Sequence, residues 1–447
     1  MKKCIAHIKS RINASDLAKR MASGAFWSVL GSAGAKLMVV LAGIACARIL
    51  GKEIYGQFGM VKSTIAMLMV FGNAGLGLTA TKYIAEYRVT QKQHAASVYI
   101  VTNLFAAVVA TVVGMLVFFC ARWVAVTVLQ APELTMPLKV CSVITAIVIL
   151  NLAQDGVLSG FEDFKHRAIN LFIGDFLQAG AMMVGAYYFG LMGTVLGYGA
   201  GLVAVVALNW RSIRLNFRKI NVSPHFCEIF FKDFRLLYSF SLPAAISSML
   251  AGPVYWLIRA MIVRYNGFGE VALYDVADQW RQLILFVPAS VSQILLPILS
   301  SLETNESNQF LKVLKVNLTL NASLATVMAL LVSVLSGVII AFYGQGFTNN
   351  WPIIVLSVSC IFNSISNLLG ISITSKGKMW TWCGFNVLWG TVAVGLSWLA
   401  LRLQYAATGI AAAICISYFC HALWQWIYVK HVILYHKVGT ENQSDKL

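Results

Sequence analysis

Charge is scarce in this sequence. Only 11% of the residues are Asp, Glu, Lys or Arg and 59% are hydrophobic, with a mean hydropathy of +0.75. Soluble domains carry about a quarter charged residues, and no polar block here is long enough to form one. Paired cysteines are missing as well. The nine cysteines lie mostly inside apolar segments and form no CxxC motif, so neither a disulfide framework nor a zinc site is supported. Glycine-rich phosphate loops, nucleophile–base sets and metal constellations are absent too, so neither an enzyme nor a cofactor is expected. Acidic residues are half as common as basic ones, 17 against 34, giving a net charge of +17.

What fills the chain is a succession of apolar windows, each long enough to cross a bilayer. Counted between polar breaks they give about twelve transmembrane helices. The fold class is therefore all-α and polytopic. The basic segment 1–21 reads as a retained cytoplasmic leader, because no cleavage-site pattern precedes the first span. Spans fill 22–210 and 237–430, with a polar link at 211–236 and a tail at 431–447. Most Lys and Arg fall in the leader, the alternate loops and the tail. The few on the other side include Arg48, Lys52, Arg122, Arg264 and Arg402. Both termini are expected in the cytoplasm. The basic excess is this positive-inside bias, and no nucleic-acid partner is implied.

The two halves resemble each other at an offset of 216 residues. Arg48-Ile-Leu-Gly51 lies over Arg264-Tyr-Asn-Gly267, Ser32 over Ser248, Asn151 over Asn367, Asn170 and Gly174 over Asn386 and Gly390, and Gly193 over Gly409. A constant offset over several regions signals duplication. Six spans in each half give two lobes of like orientation, related by a pseudo-two-fold axis along the membrane normal. Substrates of such proteins bind between the lobes near the midplane.

Lys36 stands alone in SAGAKLMVVLAGIA, the only charge between Met21 and Ala47. An extended lysine reaches about 6 Å, whereas the interface is roughly 15 Å away. A charge at that depth faces protein or water. Ser28, Ser32, Lys36 and Gly43 share one helix face, as a cavity wall or a packing seam requires. Lys36 reads as a site for an anion or as half of an internal ion pair. Lys62 shares a face with Asn73 and is either a second cationic site or a snorkelling side chain. In the eighth span, 271–298, Asp275, Asp278 and Gln282 share a face with Arg281 beside it. Arg281 is an anion site if Asp278, three residues away, leaves it free. Arg259, five residues from Arg264, reads more simply as an interfacial cation.

Among the acids, Asp155 near Asn151 and Gln154, Asp175 near Gln178, and the pair Asp275 and Asp278 suit either ion coupling or structural pairing. His421 lies deep in a span and reads as a satisfied packing residue. Pro243, Pro253, Pro288 and Pro297 mark bends in the seventh and eighth spans.

The stretch ARILGKEIYGQFGMVKSTIAMLMVFGNAGLGLTATKYIAEYR at 47–88 resembles the polysaccharide transporter family, the Wzx-type lipid-linked oligosaccharide flippases of the MOP exporter superfamily. GVIIAFYGQGF at 337–347, ITSKGKMW at 373–380 and TGIAAAICIS at 408–417 are similar to its later helices. The resemblance implies two lobes in a V, a cationic central cavity and a location in the bacterial inner membrane. It also implies passage of an undecaprenyl-diphosphate-linked oligosaccharide from the cytoplasmic to the periplasmic leaflet, for surface polysaccharide such as O-antigen. Matched by span, Lys36, Lys62 and Arg281 would serve the diphosphate, with Arg259 a further candidate. Trp27, Tyr255, Trp256 and Trp280 are candidate sugar contacts. Membrane lipid, a polysaccharide polymerase or chain-length machinery, and protons or sodium ions are the other candidate partners. The rival within the superfamily is a MATE-like drug or cation antiporter, for which acids rather than lysines would be expected in the first two spans.

Overall fold

Inside a bilayer each backbone N–H and C=O must find its partner within the chain, and apolar runs of this length therefore fold as helices. The computed structural model describes residues 2–72, 76–223, 250–292 and 307–431. The N-terminal lobe holds α1 (Lys2–Gly72), α2 (Leu76–Thr90), α3 (Lys92–Trp123), α4 (Thr135–Gly160) and α5 (Phe164–Lys219). The C-terminal lobe holds α6 (Ala251–Asn266), α7 (Phe268–Ser292), α8 (Ser307–Phe342), α9 (Trp351–Ser375), α10 (Met379–Arg402) and α11 (Ala406–Tyr428). Among the described residues, eight stretches are long and apolar enough to cross a membrane. Large apolar side chains such as Phe119, Val334 and Leu331 stand on the outer surface, where lipid would cover them.

Two of the stretches fold back on themselves. Gly51 takes φ 76° and ψ 169°, a conformation that costs glycine little. Gly43 and Gly59, eight residues to either side of it, both lie against α7, at Gln279 and Asp275. Only a reversal at Gly51 brings both to neighbouring turns of one helix. In α5 the reversal is at Gly190, with φ 56°. Gly185 then abuts Gly193, Ala181 abuts Gly197, Gln178 abuts Gly201 and Gly174 abuts Val205. Small residues here let the two arms approach backbone to backbone.

The duplication is written in the backbone. Left-handed φ values recur 216 residues apart at Gly51 and Gly267, at Gln130 and Gly346, and at Gly190 and Ala406. The lobes meet along α1 and α7, and there residues touch their own counterparts. Glu53 lies against Gly269, Gly56 against the Ala272 amide and the Phe268 carbonyl, and Gly59 against Asp275. Each of the pairs 53/269, 56/272 and 59/275 carries the same offset. The pseudo-two-fold axis therefore runs between these two helices.

Several sequence expectations change. The helix of α5 continues to Lys219, so Arg211, Arg214 and Arg218 belong to its last turns and not to a link. Pro253 occupies the first turn of α6, where its missing N–H costs nothing. Pro288 does lie inside α7. Pro243, Pro297, Asn73, Ser248, the side chain of Ser28, the link beyond Ser223 and the tail after His431 lie outside the described residues.

Candidate functional site

Around the pseudo-axis the arms of α1 and α5 face α6 and α7 across a cavity of about 560 Å³, within the range of roughly 300–1,000 Å³ usual for small-molecule sites. Of the eight charged residues singled out in the sequence, seven line it: Lys36, Lys62, Asp175, Arg259, Asp275, Asp278 and Arg281. The spacing of these residues along each helix is what points them to one place. Asp275, Asp278 and Gln282 share a side of α7, and the reversal at Gly51 brings Lys62 back beside Lys36.

On the C-terminal side every charge is engaged. Arg259 donates from Nε to Asp275 Oδ1 at 2.7 Å and from Nη2 to Asp278 Oδ2 at 3.0 Å. Arg281 donates from Nε to Asp278 Oδ1 at 2.8 Å, with Nη2 2.7 Å from the same oxygen. Gln282 Nε2 completes the set on Asp278 Oδ2 at 3.0 Å. The two guanidinium groups also lie over aromatic rings, Arg259 on Tyr274 at 4.8 Å and Arg281 on Tyr255 at 4.9 Å. Arg259 is buried, at 8% exposure, and holds two carboxylates, which overturns its reading as an interfacial cation. Arg281 is likewise paired with Asp278. Burying two charges is repaid only when their hydrogen bonds are satisfied, as both oxygens of Asp278 are here.

On the N-terminal side the opposite holds. Among the described residues, no carboxylate lies within ion-pair distance of Lys36 or Lys62, and neither makes a hydrogen bond. Lys36 feels Asp278, Arg281 and Asp175 only through space, and Lys62 feels Asp275 and Asp278 in the same way. Lys62 points into the cavity and does not snorkel. Asp175, on α5, also lines the cavity and has no partner among the described residues. Asp155 lies elsewhere. It accepts from Asn209 Nδ2 at 3.3 Å and sits 3.6 Å from Arg167, in a buried network with Asn151 and Asn170.

The aromatic candidates divide. Tyr255 and Trp256 line the cavity, where Tyr255 shares a hydrogen bond with Tyr418 at 2.7 Å and Trp256 Nε1 donates to Thr64 at 2.9 Å. Trp280 donates to Tyr343 at 3.2 Å behind the wall, and Trp27 lies under Lys165. His421 has both ring nitrogens partnered, by Ser366 at 2.8 Å and Gln425 at 3.0 Å, as a packing residue should.

The sequence reading missed how the lobes are fastened. Gln279 Nε2 crosses from α7 to the Val39 carbonyl at 2.6 Å, entering beside Gly43, where a Cβ would block it. Its Oε1 accepts from Tyr343 at 2.9 Å. Gln279 is four residues from Asp275, so the signal was present in the polar face of α7. Nearer the Gly51 end, Arg48 Nε donates to the Phe342 carbonyl at 2.6 Å, Lys52 pairs with Glu270 at 3.4 Å, and Tyr55 meets Phe347 edge to face at 6.2 Å. These contacts close the lobes at that end.

Two helical lobes about a pseudo-two-fold axis, enclosing a charged cavity, define an integral membrane protein of the transporter kind. A multidrug resistance MATE family transporter of the MOP superfamily, in its inward-facing conformation, has the same fold, with a TM-score of 0.78 over 89% of this chain and 94% of that one at 13% identity. The lipid II flippase MurJ, in an inward closed conformation, gives a TM-score of 0.70 over 90% and 87% at 15% identity. By sequence, the chain belongs to the polysaccharide biosynthesis protein family, whose profile matches residues 21–303. It is 27% identical over 200 residues to the EPS I polysaccharide export inner membrane protein EpsE of Ralstonia nicotianae. That match spans 43% of this chain and 45% of the relative, so the chain matches less than half of that protein's length.

Proposed function

We propose that this protein is a flippase that carries a polyprenyl-diphosphate-linked oligosaccharide from the cytoplasmic to the periplasmic leaflet by alternating access. The observation that carries the reading is the pair of lysines, Lys36 and Lys62, standing unpaired among the described residues in a cavity whose two arginines are already neutralised. A diphosphate offers several strong acceptor oxygens and the negative charge that two free ammonium groups lack. A cavity of about 560 Å³ accommodates the phosphates and the adjoining sugar, while the lipid tail stays between the lobes and the membrane. Family membership and the name of the EpsE relative support a polysaccharide cargo. Both termini would then face the cytoplasm, and the Gly51 and Gly267 turns the periplasm. Asp175, the acid of the cavity without a partner, is the best placed to couple transport to protons or sodium.

The test is translocation of a labelled undecaprenyl-diphosphate oligosaccharide by reconstituted protein, comparing the parent with Lys36→Ala, Lys62→Ala and Lys36→Arg. Loss in both alanine variants with retention in Lys36→Arg, at equal amounts of folded protein, is the expected result. Uptake of an organic cation by the parent, with no movement of the labelled lipid, would replace this reading with an antiporter.

A further inference from the structure

The polar groups of the cavity divide by lobe, and the division extends beyond charge. On the C-terminal wall Arg259, Arg281, Asp278, Gln279 and Gln282 are all committed to protein partners, and Asp275 is held through one oxygen by Arg259 while the other has no hydrogen-bond partner. On the N-terminal wall four non-aromatic side chains have none among the described residues: Lys36, Lys62, Asp175 and Gln178. Gln178 is the most telling. It is over nine-tenths buried, lines the cavity, and neither donates nor accepts a hydrogen bond. Its amide is not sealed in protein but opens onto the cavity, so whatever fills the cavity, water or ligand, is what completes it.

Gln178 is also held in place. Its Cβ rests against Gly201 on the returning arm of α5, where any larger residue would push it away. Asp175 lies three residues before it, on the same side of the helix. Beside them Tyr198 offers a ring to the cavity, braced edge to face on Phe58 at 6.3 Å. Two lysines thus stand next to a carboxylate, an amide and an aromatic ring. The lysines suit phosphate. The other three do not, since a carboxylate repels phosphate, an amide adds little to it, and a ring face has no use for it. They suit a sugar: the carboxylate accepts from hydroxyls, the amide donates and accepts, and the ring covers the apolar C–H face.

We infer that Asp175 and Gln178, backed by Tyr198, form a subsite for the first sugar of the cargo, and that this sugar is neutral. The inference rests on the flippase reading above and adds where the sugar lies and what charge it carries. A uronic acid in the same place would set its carboxylate against Asp175.

The experiment measures binding of three lipids to the purified full chain: undecaprenyl diphosphate alone, the same lipid bearing one glucose, and the same lipid bearing one glucuronic acid. The parent should bind the glucosyl lipid more tightly than the bare lipid and more tightly than the glucuronyl lipid. Gln178→Leu should weaken the glucosyl lipid about tenfold, the worth of one good hydrogen bond, and leave the bare lipid unchanged. Asp175→Asn should reduce the preference for the glucosyl over the bare lipid about tenfold, with the bare lipid bound at least as tightly as by the parent because a carboxylate near Lys36 is gone. Binding of the bare lipid thereby also reports that each variant is folded. Asp175→Asn should in addition improve the glucuronyl lipid. Equal losses for bare and glucosyl lipids would make Asp175 and Gln178 supports for the lysines and overturn the subsite. Unchanged binding of the glucosyl lipid in both variants, or a parent that binds glucuronyl and glucosyl lipids alike, would overturn it too. A parent that binds none of the three would overturn the flippase reading, and the subsite with it.

Discussion

Gly59 on α1 lies directly against Asp275 on α7, the residue 216 positions further on that occupies the same place in the second half. A Cβ at Gly59 would collide with the Asp275 carboxylate, whose Oδ2 is buried and has no hydrogen-bond partner. One turn nearer the Gly51 end, Gly56 is pressed on the Phe268 carbonyl. A carboxylate can swing aside, but a carbonyl in a helix cannot. Gly56→Ala should therefore cost this closed arrangement about 1–3 kcal/mol, as overpacking does, and Gly59→Ala less. Spin labels on Arg122 and Arg402, at the Gly51 end of the two lobes, should report a longer distance in Gly56→Ala than in the parent.

Asp278 holds both arginines, so its loss leaves the buried Arg281 without its carboxylate and Arg259 with Asp275 alone. Asp278→Asn should lower stability by about 3–5 kcal/mol, the cost of breaking a buried pair from one side. Lys36→Ala orphans nothing and should leave thermal unfolding of the purified protein close to the parent's. If the two variants melted alike, the division of the cavity into a paired and an unpaired wall would be wrong.

Gln279→Leu should loosen the lobes without touching the cargo. It strips the Val39 carbonyl of its cross-lobe donor and Tyr343 of its acceptor, at about 1–3 kcal/mol for the groups left unpaired. The population closed at the Gly51 end should fall in the same spin-label measurement, with binding of bare undecaprenyl diphosphate retained.

At the turn between α4 and α5, Asp163 caps α5 through the His166 amide and accepts from Asn216 Nδ2 at 2.6 Å. Burial pushes its carboxyl up, but the hydrogen bonds from Asn216 and His166 outweigh burial and hold it below the ordinary carboxylate value. A group whose folded value is depressed contributes stability above its unfolded value, near 3.9, and loses it as pH falls through the folded one. Hydrogen-exchange protection of this turn should be constant near neutrality and decline below about pH 4. Asn216→Ala should move the decline to higher pH. An unchanged decline would mean that Asn216 does not hold the carboxylate.

The charges were legible because hydrocarbon makes each of them conspicuous. Lys36, Lys62, Asp175 and the polar face of α7 stood out from helical spacing alone, and the structure gathers them in one cavity. The offset of 216 was legible from a handful of landmarks and reappears in the φ values of Gly51 and Gly267. That neither arginine is free was not legible. Asp278 and Arg281 at three residues apart announce one pair, but Arg259 reaches Asp275 and Asp278 from another helix, and no spacing encodes that. Asp155 looked like its fellow acids for the same reason, although its helix turns it toward Asn209 and Arg167. The glycines of the interface carried too little signal individually, because glycine is common in membrane helices for many reasons.

The row of residues meeting their own counterparts has an evolutionary reading. Were the halves separate and identical, as in a symmetric dimer, each position on the axis would face a copy of itself. Gly59 would face glycine and leave a gap, or Asp275 would face aspartate and repel it. Joining the halves in one polypeptide released each site from that constraint. One copy of the position became glycine and made room, and the other became the acid that fills it. Positions 62 and 278, equivalent in the same way, diverged to a lysine and an aspartate. The chemical asymmetry of the cavity, with unpaired lysines on one wall and paired arginines on the other among the described residues, is thus one that two identical halves could not have.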